Sequence, residues 1–168
     1  VFLVYEDERW TYGEFLAHVD ALARLLVDEL GVRRGDRVAI AMRNYPEWIV
    51  AFAATTSIGA IAVSLNALWT EPELEYGLAD SGTTVLIAER VTPLLGGAFA
   101  TLAVRWPEGR PVPEGVTLLT ERLAPLLAEG ATLPDVEIAP DDDATILYTS
   151  GTTGHPKGAV ATHRGICS

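Results

Sequence analysis

The sequence has a single cysteine and few basic residues, and both shortages restrict what the protein can be. Cys167 is the only cysteine among 168 residues, so no internal disulfide can form and the chain fits a reducing cytoplasm. A catalytic thiol one residue before Ser168 is not expected. Lysine and arginine total 12 against 23 aspartates and glutamates, which gives a formal net charge of −11. Because no basic stripe is present, we do not expect a nucleic-acid partner.

The sequence also lacks a secretory signal and a clear membrane-spanning segment. An uncharged stretch of 23 residues runs from Trp48 to Thr70 and meets the length criterion for a membrane helix. Polar residues interrupt it, however, and Gly59 divides it into a helix-like half and a β-branched half. We therefore predict a buried helix followed by a buried strand, in a cytoplasmic protein that can still touch a membrane surface. Since the first residue is not Met, we expect a piece of a longer chain.

The phosphate-loop pattern G-x-x-x-x-G-K-[ST] is missing as well. Counting five residues on from Gly151 leads to Pro156, and Lys157 is followed by Gly158 rather than by Ser or Thr. A phosphotransfer NTPase is therefore disfavoured.

In its place, residues 147–158 combine hydroxyl side chains, glycines and one lysine within a few positions. Glycine allows tight turns and close approach of backbone N–H groups, hydroxyls donate hydrogen bonds, and lysine adds a positive charge. A strand is predicted directly before them, at 144–148, and ligands of open α/β sheets bind at the carboxyl ends of strands. The composition and the position both predict a polyphosphate site. Its members are Thr149, Ser150, Gly151, Thr152, Thr153, Gly154, Lys157 and Gly158.

The remaining sequence alternates between short apolar strands and helices. Thr11 and Glu14 form a capping-box pattern before a helical apolar repeat that Gly31 ends. Strands are further predicted at 37–42, 61–65, 84–88 and 116–120, and helices from Pro46 and at 71–80 and 121–129, with an irregular segment at 93–115. This order predicts an α/β fold with a mostly parallel sheet flanked by helices.

The segment Tyr148–Gly154 followed by Pro156-Lys157-Gly158 resembles, without a gap, the phosphate loop of adenylate-forming (AMP-binding) enzymes. This family includes acyl-CoA synthetases, adenylation domains of peptide synthetases and luciferases. Further segments that resemble this family occur at 10–15, 35–39, 44–48, 59–66 and 73–82. Their sequences are most similar to those of a bacterial fatty-acyl-CoA synthetase. The resemblance implies that residues 1–168 are the N-terminal portion of the large domain. The rest of that domain and a mobile C-terminal domain would lie elsewhere.

Enzymes of this family join a carboxylate to ATP, release pyrophosphate, and pass the acyl group to a thiol, usually coenzyme A. The resemblance implies that the loop binds the β and γ phosphates of ATP, that Lys157 balances charge on the leaving pyrophosphate, and that Thr152 faces Mg²⁺. Because the family's later elements lie outside this sequence, we expect no turnover by these residues alone. Exposed apolar sheet edges make a homodimer a reasonable hypothesis.

Several other residues have both a functional and a structural interpretation. We expect His155 to be an exposed loop residue and His163 to make a structural hydrogen bond rather than border an acyl site. The run Asp141-Asp142-Asp143 resembles a metal cluster, but consecutive strand residues point to opposite faces, so we expect a solvated start of a strand. Among the aromatic residues, we expect Trp48 and Tyr148 to lie in the core and Trp69 to border an acyl tunnel.

Three alternatives to a fatty-acyl-CoA synthetase stay open at this point. The acid could be an amino acid, an aryl acid or a luciferin-like compound, since the residues that select it lie mostly beyond this sequence. The fold could also serve a non-catalytic nucleotide-binding module. A phosphotransfer NTPase is the least supported, because it lacks the lysine–hydroxyl pair.

Overall fold

The computed structural model describes residues 1–91, 99–149 and 156–168. Its strands are β1 Leu3–Tyr5, β2 Glu8–Trp10, β3 Arg37–Ala41, β4 Ile61–Ser64, β5 Val85–Ala88, β6 Ala100–Ala103, β7 Val116–Leu118, β8 Asp143–Thr149 and β9 Lys157–Thr162. Its helices are α1 Tyr12–Arg24, α2 Pro46–Ser57, α3 Glu71–Ser81, α4 Leu119–Glu129 and α5 His163–Ile166. A π-helical segment, Leu25–Glu29, extends α1.

Seven strands form one sheet in the order β7-β6-β5-β3-β4-β8-β9, and β1 and β2 form a separate hairpin. Neighbouring strands of the large sheet run parallel, except that β8 and β9 are antiparallel. The predicted α/β class with a mostly parallel sheet is therefore confirmed. The carboxyl ends of β3, β4, β5, β6 and β8 all lie at one edge of the sheet.

Helix α1 begins where the capping box places it. The Thr11 Oγ1 accepts from the Glu14 backbone N–H at 3.2 Å, and the Glu14 carboxylate accepts from the Thr11 N–H at 2.6 Å. The predicted helix continues beyond Arg24, but with π-helical winding, since the Leu30 N–H donates to the Leu25 carbonyl. Gly31 follows with a φ of 69°, a left-handed conformation that suits glycine and ends the helix.

The central strands are apolar at consecutive positions because both faces of the sheet are covered. Val38 and Ile40 pack in a core shared with α1, α2 and α4, whereas Ala39 and Ala41 pack in a second core with α3. Side chains alternate between faces along a strand, so two cores require an uninterrupted apolar run. This arrangement explains the long uncharged stretch from Trp48, which consists of most of α2 followed by β4. Among the described residues, no helix is both long and apolar enough to cross a membrane.

Several elements differ from the sequence predictions. Strand β6 lies inside the segment predicted to be irregular, and α4 begins at Leu119, so the strand predicted at 116–120 ends at Leu118. The β1–β2 hairpin and β9 were not predicted. Each of these strands has six residues or fewer, and three of the six residues of β9 are glycine or alanine, which give little β signal.

Candidate nucleotide-binding site

The predicted phosphate-binding residues begin and end on two paired strands. Thr149, the last residue of β8, lies opposite Lys157, the first residue of β9. The Thr149 hydroxyl donates a long hydrogen bond of 3.5 Å to the Lys157 carbonyl. Because β8 runs parallel to β4, both residues lie at the carboxyl edge of the sheet, as the position of the motif predicts.

The residues between these two strands lie outside the described part of the chain. Their assignments therefore stay predictions from the sequence: phosphate binding, the contact of Thr152 with Mg²⁺, and the exposed position of one histidine. The residues concerned are Ser150, Gly151, Thr152, Thr153, Gly154 and His155.

Lys157 is the only lysine in the sequence, and its side chain is exposed. The ion pairs formed within the described part of the chain all use arginine as the cation, so Lys157 takes part in none of them. In a chain with a net charge of −11, an uncommitted ammonium group at the ligand edge is a local source of positive charge. It fits the predicted contact with a phosphate.

The loop returns into a strand, which distinguishes it from loops that lead into a helix. In a helix-linked phosphate loop, the first N–H groups and the dipole of the helix attract the anion. Here Lys157 starts β9, so these contributions are absent at the described end of the loop. Backbone N–H groups, hydroxyls and Lys157 must supply the attraction instead.

Tyr148 lies in β8 directly before Thr149, at the start of the loop. Its ring packs against the second core and meets Trp69 edge-on at 5.6 Å between ring centroids, which confirms its expected place as a core aromatic. Burial raises the pKa of the Tyr148 hydroxyl, and a 2.7 Å hydrogen bond to the Asp80 carboxylate raises it further. The hydroxyl therefore stays protonated and remains a donor at neutral pH.

Trp69 also borders a small cavity at the same edge of the sheet. The cavity has a volume of about 160 Å³, and its walls include Ala41, Asn66 and Leu74. This position agrees with the expected place of Trp69 beside an acyl group. Trp48, the other candidate aromatic, stacks on Phe52 at 5.4 Å and packs against the first core, as predicted.

A larger basic cavity lies nearby and was not foreseen from the sequence. It has a volume of about 510 Å³, and four of the chain's 12 basic residues line it, namely Arg43, Arg90, Arg105 and Arg110. The first three are far apart in the sequence, but each follows a strand end by two residues. That spacing after β3, β5 and β6 was the signal that could have revealed the cluster.

Carboxylates hold two of these arginines in place. The Glu89 carboxylate accepts from the Arg43 Nη2 at 2.9 Å and from the Tyr45 hydroxyl at 2.8 Å. Burial raises the pKa of Glu89, but these hydrogen bonds outweigh burial, so the pKa of Glu89 is lowered overall. Arg105 bonds Glu8 and Glu47. The described ion pairs include neither of the other two arginines.

Two predictions at the opposite end of β8 need correction. Asp141 and Asp143 are exposed, as expected, but Asp142 is mostly covered because it accepts from the Arg34 guanidinium at 2.5 Å and from the Ala139 N–H at 2.8 Å. The described residues contain no group of three or more acidic, histidine or cysteine side chains that could hold a metal. The His163 Nε2 is buried without a hydrogen-bond partner among the described residues, so its expected structural hydrogen bond is wrong there.

The mostly parallel sheet with helices on both faces defines an α/β protein of the open-sheet type, in which ligands bind at the carboxyl ends of the strands. All 168 residues match the family model described as AMP-binding enzyme, and the chain belongs to that family. It is 39% identical over 163 residues to the long-chain-fatty-acid–CoA ligase FadD13 of Mycobacterium tuberculosis, covering 96% of this chain and 31% of the ligase. It is 40% identical over 153 residues to a feruloyl-CoA synthase of an Amycolatopsis species, covering 91% of this chain and 28% of the synthase.

A solved structure has the same fold. The N-terminal subdomain of NpsA from Klebsiella oxytoca superposes with a TM-score of 0.74 at 29% identity, covering 97% of this chain and 38% of that chain. The chain thus spans about a third of the length of the proteins it matches.

Proposed function

We propose that these residues form the N-terminal part of the large domain of an acyl-CoA synthetase. In this proposal the enzyme activates a carboxylate with ATP, releases pyrophosphate and transfers the acyl group to coenzyme A. The observation that carries the proposal is the pairing of Thr149 with Lys157 at the carboxyl end of β8, on either side of the hydroxyl- and glycine-rich loop.

Each part of this site has a chemical task in the first reaction. A carboxylate is a poor electrophile, and linking its oxygen to AMP provides a good leaving group. Negative charge collects on the departing pyrophosphate, so donors that are already in position lower the barrier. Thr149 and Lys157 would bind the β and γ phosphates together with Ser150, Gly151, Thr152, Thr153 and Gly154.

Magnesium would bind at this site together with the phosphates of the nucleotide. Mg²⁺ commonly binds substrate phosphates together with one or two protein ligands and several waters. The proposed protein ligand is the Thr152 hydroxyl, and the ion would neutralise phosphate charge. The described residues offer no acidic cluster that would bind the ion without ATP.

The second substrate, coenzyme A, also carries phosphates. The cavity lined by Arg43, Arg90, Arg105 and Arg110 supports its use, because Arg90 and Arg110, which belong to none of the described ion pairs, add positive charge at the same edge as the ATP loop. Arginine suits phosphate recognition because its planar guanidinium donates two parallel hydrogen bonds.

A fatty acid is the first candidate for the acid, since FadD13 is a long-chain-fatty-acid–CoA ligase. An aryl acid is the second, because the feruloyl-CoA synthase is equally similar to this chain. The test is acid-dependent ATP–pyrophosphate exchange by the full-length protein, with residues 1–168 alone as a comparison. Exchange with aliphatic acids supports the first candidate, and exchange with ferulate or 4-coumarate alone supports the second. A folded full-length protein that binds ATP but exchanges with no acid would refute both and favour a non-catalytic module.

A further inference from the structure

Helix α3 contacts both ends of the phosphate loop through side chains that no part of the proposed chemistry uses. The Tyr148 hydroxyl, one residue before Thr149, donates to the Asp80 carboxylate at 2.7 Å. The Tyr76 hydroxyl donates to the carbonyl of Pro156, one residue before Lys157, at 3.3 Å. Two residues one helical turn apart on α3 therefore bind the two strand ends from which the loop departs.

The packing around Tyr148 allows its ring little freedom. Gly158 lies opposite Tyr148, and a Cβ atom on Gly158 would come within 3.3 Å of the Tyr148 Cζ. On another side the ring meets Trp69, which packs so closely on α3 that a Cβ on Gly77 would lie 2.7 Å from the Trp69 Cζ3. The ring is thus enclosed by β9, Trp69 and α3, and its hydroxyl has the Asp80 carboxylate as its closer partner at 2.7 Å and the Gly77 carbonyl at 3.3 Å.

The location of Asp80 argues for a specific role. An exposed carboxylate close to a polyphosphate site repels the ligand, and Asp80 is not among the residues that α3 buries against the core. The Asp80 carboxylate is instead engaged by a hydroxyl that burial keeps protonated. A charged acceptor makes a stronger hydrogen bond than a neutral one, which favours a firm anchor at this point.

We propose that Tyr76 and Asp80 are positioning residues that set the place of Thr149 and Lys157 for the phosphates of ATP. This inference rests on the proposed function, because it assigns α3 to the same phosphate site. Asp80 acts through Tyr148 on the β8 end, and Tyr76 acts through the Pro156 carbonyl on the β9 end. Neither residue touches a reacting atom.

The kinetic test uses ATP–pyrophosphate exchange by the full-length protein with folded variants. Tyr148→Phe and Asp80→Ala should each raise the KM for ATP about five- to tenfold, the effect of one lost hydrogen bond, and leave the KM for the acid unchanged. The double variant should be no worse than Tyr148→Phe alone, because Tyr148→Phe already removes the hydrogen bond to Asp80. Tyr76→Phe should raise the same KM independently, and Asp80→Asn, which keeps an acceptor oxygen, should recover most of the loss.

Tyr12→Phe, at an exposed tyrosine on α1, and Glu75→Gln, at an exposed residue of α3, serve as matched controls. A KM for ATP that is unchanged in folded Tyr148→Phe overturns the proposal. Equal increases in both KM values, or effects of Tyr148→Phe and Asp80→Ala that multiply, also overturn it, because they indicate a general structural defect.

A second measurement does not depend on catalysis. Amide hydrogen exchange at Thr149 and Lys157 should become faster in Tyr148→Phe than in wild type, while exchange in β3 and β5 stays the same. If the wild-type protein exchanges pyrophosphate with no acid, the proposed function fails and this measurement alone decides on the positioning role. Unchanged amide exchange at both strand ends would then overturn it.

Discussion

Tyr148 and Gly158 lie directly opposite each other on β8 and β9, and the tyrosine ring packs over the glycine, where a side chain would otherwise stand. A Cβ atom on Gly158 would come within 2.8 Å of the Ile146 Cγ2, closer than such atoms approach. The glycine therefore serves close packing at this position as well as belonging to the phosphate motif.

Gly158→Ala should destabilise the protein and weaken ATP binding together. Relieving the contact requires Ile146 or Tyr148 to move, and overpacking of this kind costs about 1–3 kcal/mol. Thermal unfolding and nucleotide titration measure the two effects. Gly165→Ala is the matched control, because its nearest neighbour would be an ordinary 3.5 Å away. Equal melting temperatures for the two variants would contradict the packing argument.

Lys157→Gln should slow pyrophosphate exchange by about 100-fold, the typical loss when one well-placed donor to a developing charge is removed. Lys157→Arg keeps the charge but changes its shape and reach, so its rate should lie between those of Lys157→Gln and wild type. Arg24→Gln is the control, since it removes one positive charge from an exposed ion pair on α1. An exchange rate in Lys157→Gln equal to that of the control would exclude the assigned role.

Arg105, which follows β6, contacts residues of the β1–β2 hairpin and connects it to the rest of the fold. Its guanidinium pairs with Glu8 and Glu47 and lies 4.9 Å from the ring centroids of Tyr5 and Tyr45. Arg105→Met should lower the free energy of unfolding by about 1–2 kcal/mol, because partly exposed ion pairs and cation–π contacts each contribute up to about 1 kcal/mol.

The loss of Arg105 should also speed amide hydrogen exchange in residues 3–10 more than elsewhere. Urea unfolding measures the free energy, and exchange by mass spectrometry localises the effect. Arg24→Met provides the comparison at an exposed pair. Hairpin exchange that matches wild type in Arg105→Met would show that other contacts hold the hairpin.

Glu89 should stabilise the fold in a pH-dependent way. Its pKa is lowered in the folded protein, so its contribution is present above its unfolded pKa of about 4.3 and is lost as the pH falls through the folded value. Glu89→Gln should therefore lower the free energy of unfolding by about 1–3 kcal/mol at pH 7, and the difference from wild type should shrink below about pH 4. Urea unfolding at pH 7 and pH 3, with exposed Glu75→Gln as the control, checks this. A difference that is the same at both pH values would contradict it.

The sequence predicted the fold well where local signals and burial agree. The capping box of α1, Pro46 at the start of α2 and the apolar runs of β3 and β5 each indicate the type of an element and, to within one residue, where it begins. β9 was missed because its exposed residues follow no apolar alternation, and only its pairing with β8 makes it a strand.

The site was predictable only where its residues are neighbours in sequence. The stretch from Thr149 to Lys157 forms one motif, but Tyr76 and Asp80 lie 80 and 68 residues away from their partners Pro156 and Tyr148. The basic cavity likewise depends on the order β6-β5-β3 in the sheet, which brings Arg105 and Arg43 together. A single sequence does not state strand order, so the spacing of arginines after strand ends suggests a basic cluster without showing that Arg105 and Arg43 meet.

The most direct test of the central claim is the rate at which the Lys157 amine is reductively methylated in the full-length protein. Peptide mass spectrometry measures this rate. If the amine binds the β and γ phosphates, ATP with Mg²⁺ and pyrophosphate should both slow methylation of Lys157, whereas AMP, which lacks those phosphates, should not. A Lys157 amine that reacts equally fast with and without saturating ATP would contradict the claim that this residue holds the departing pyrophosphate.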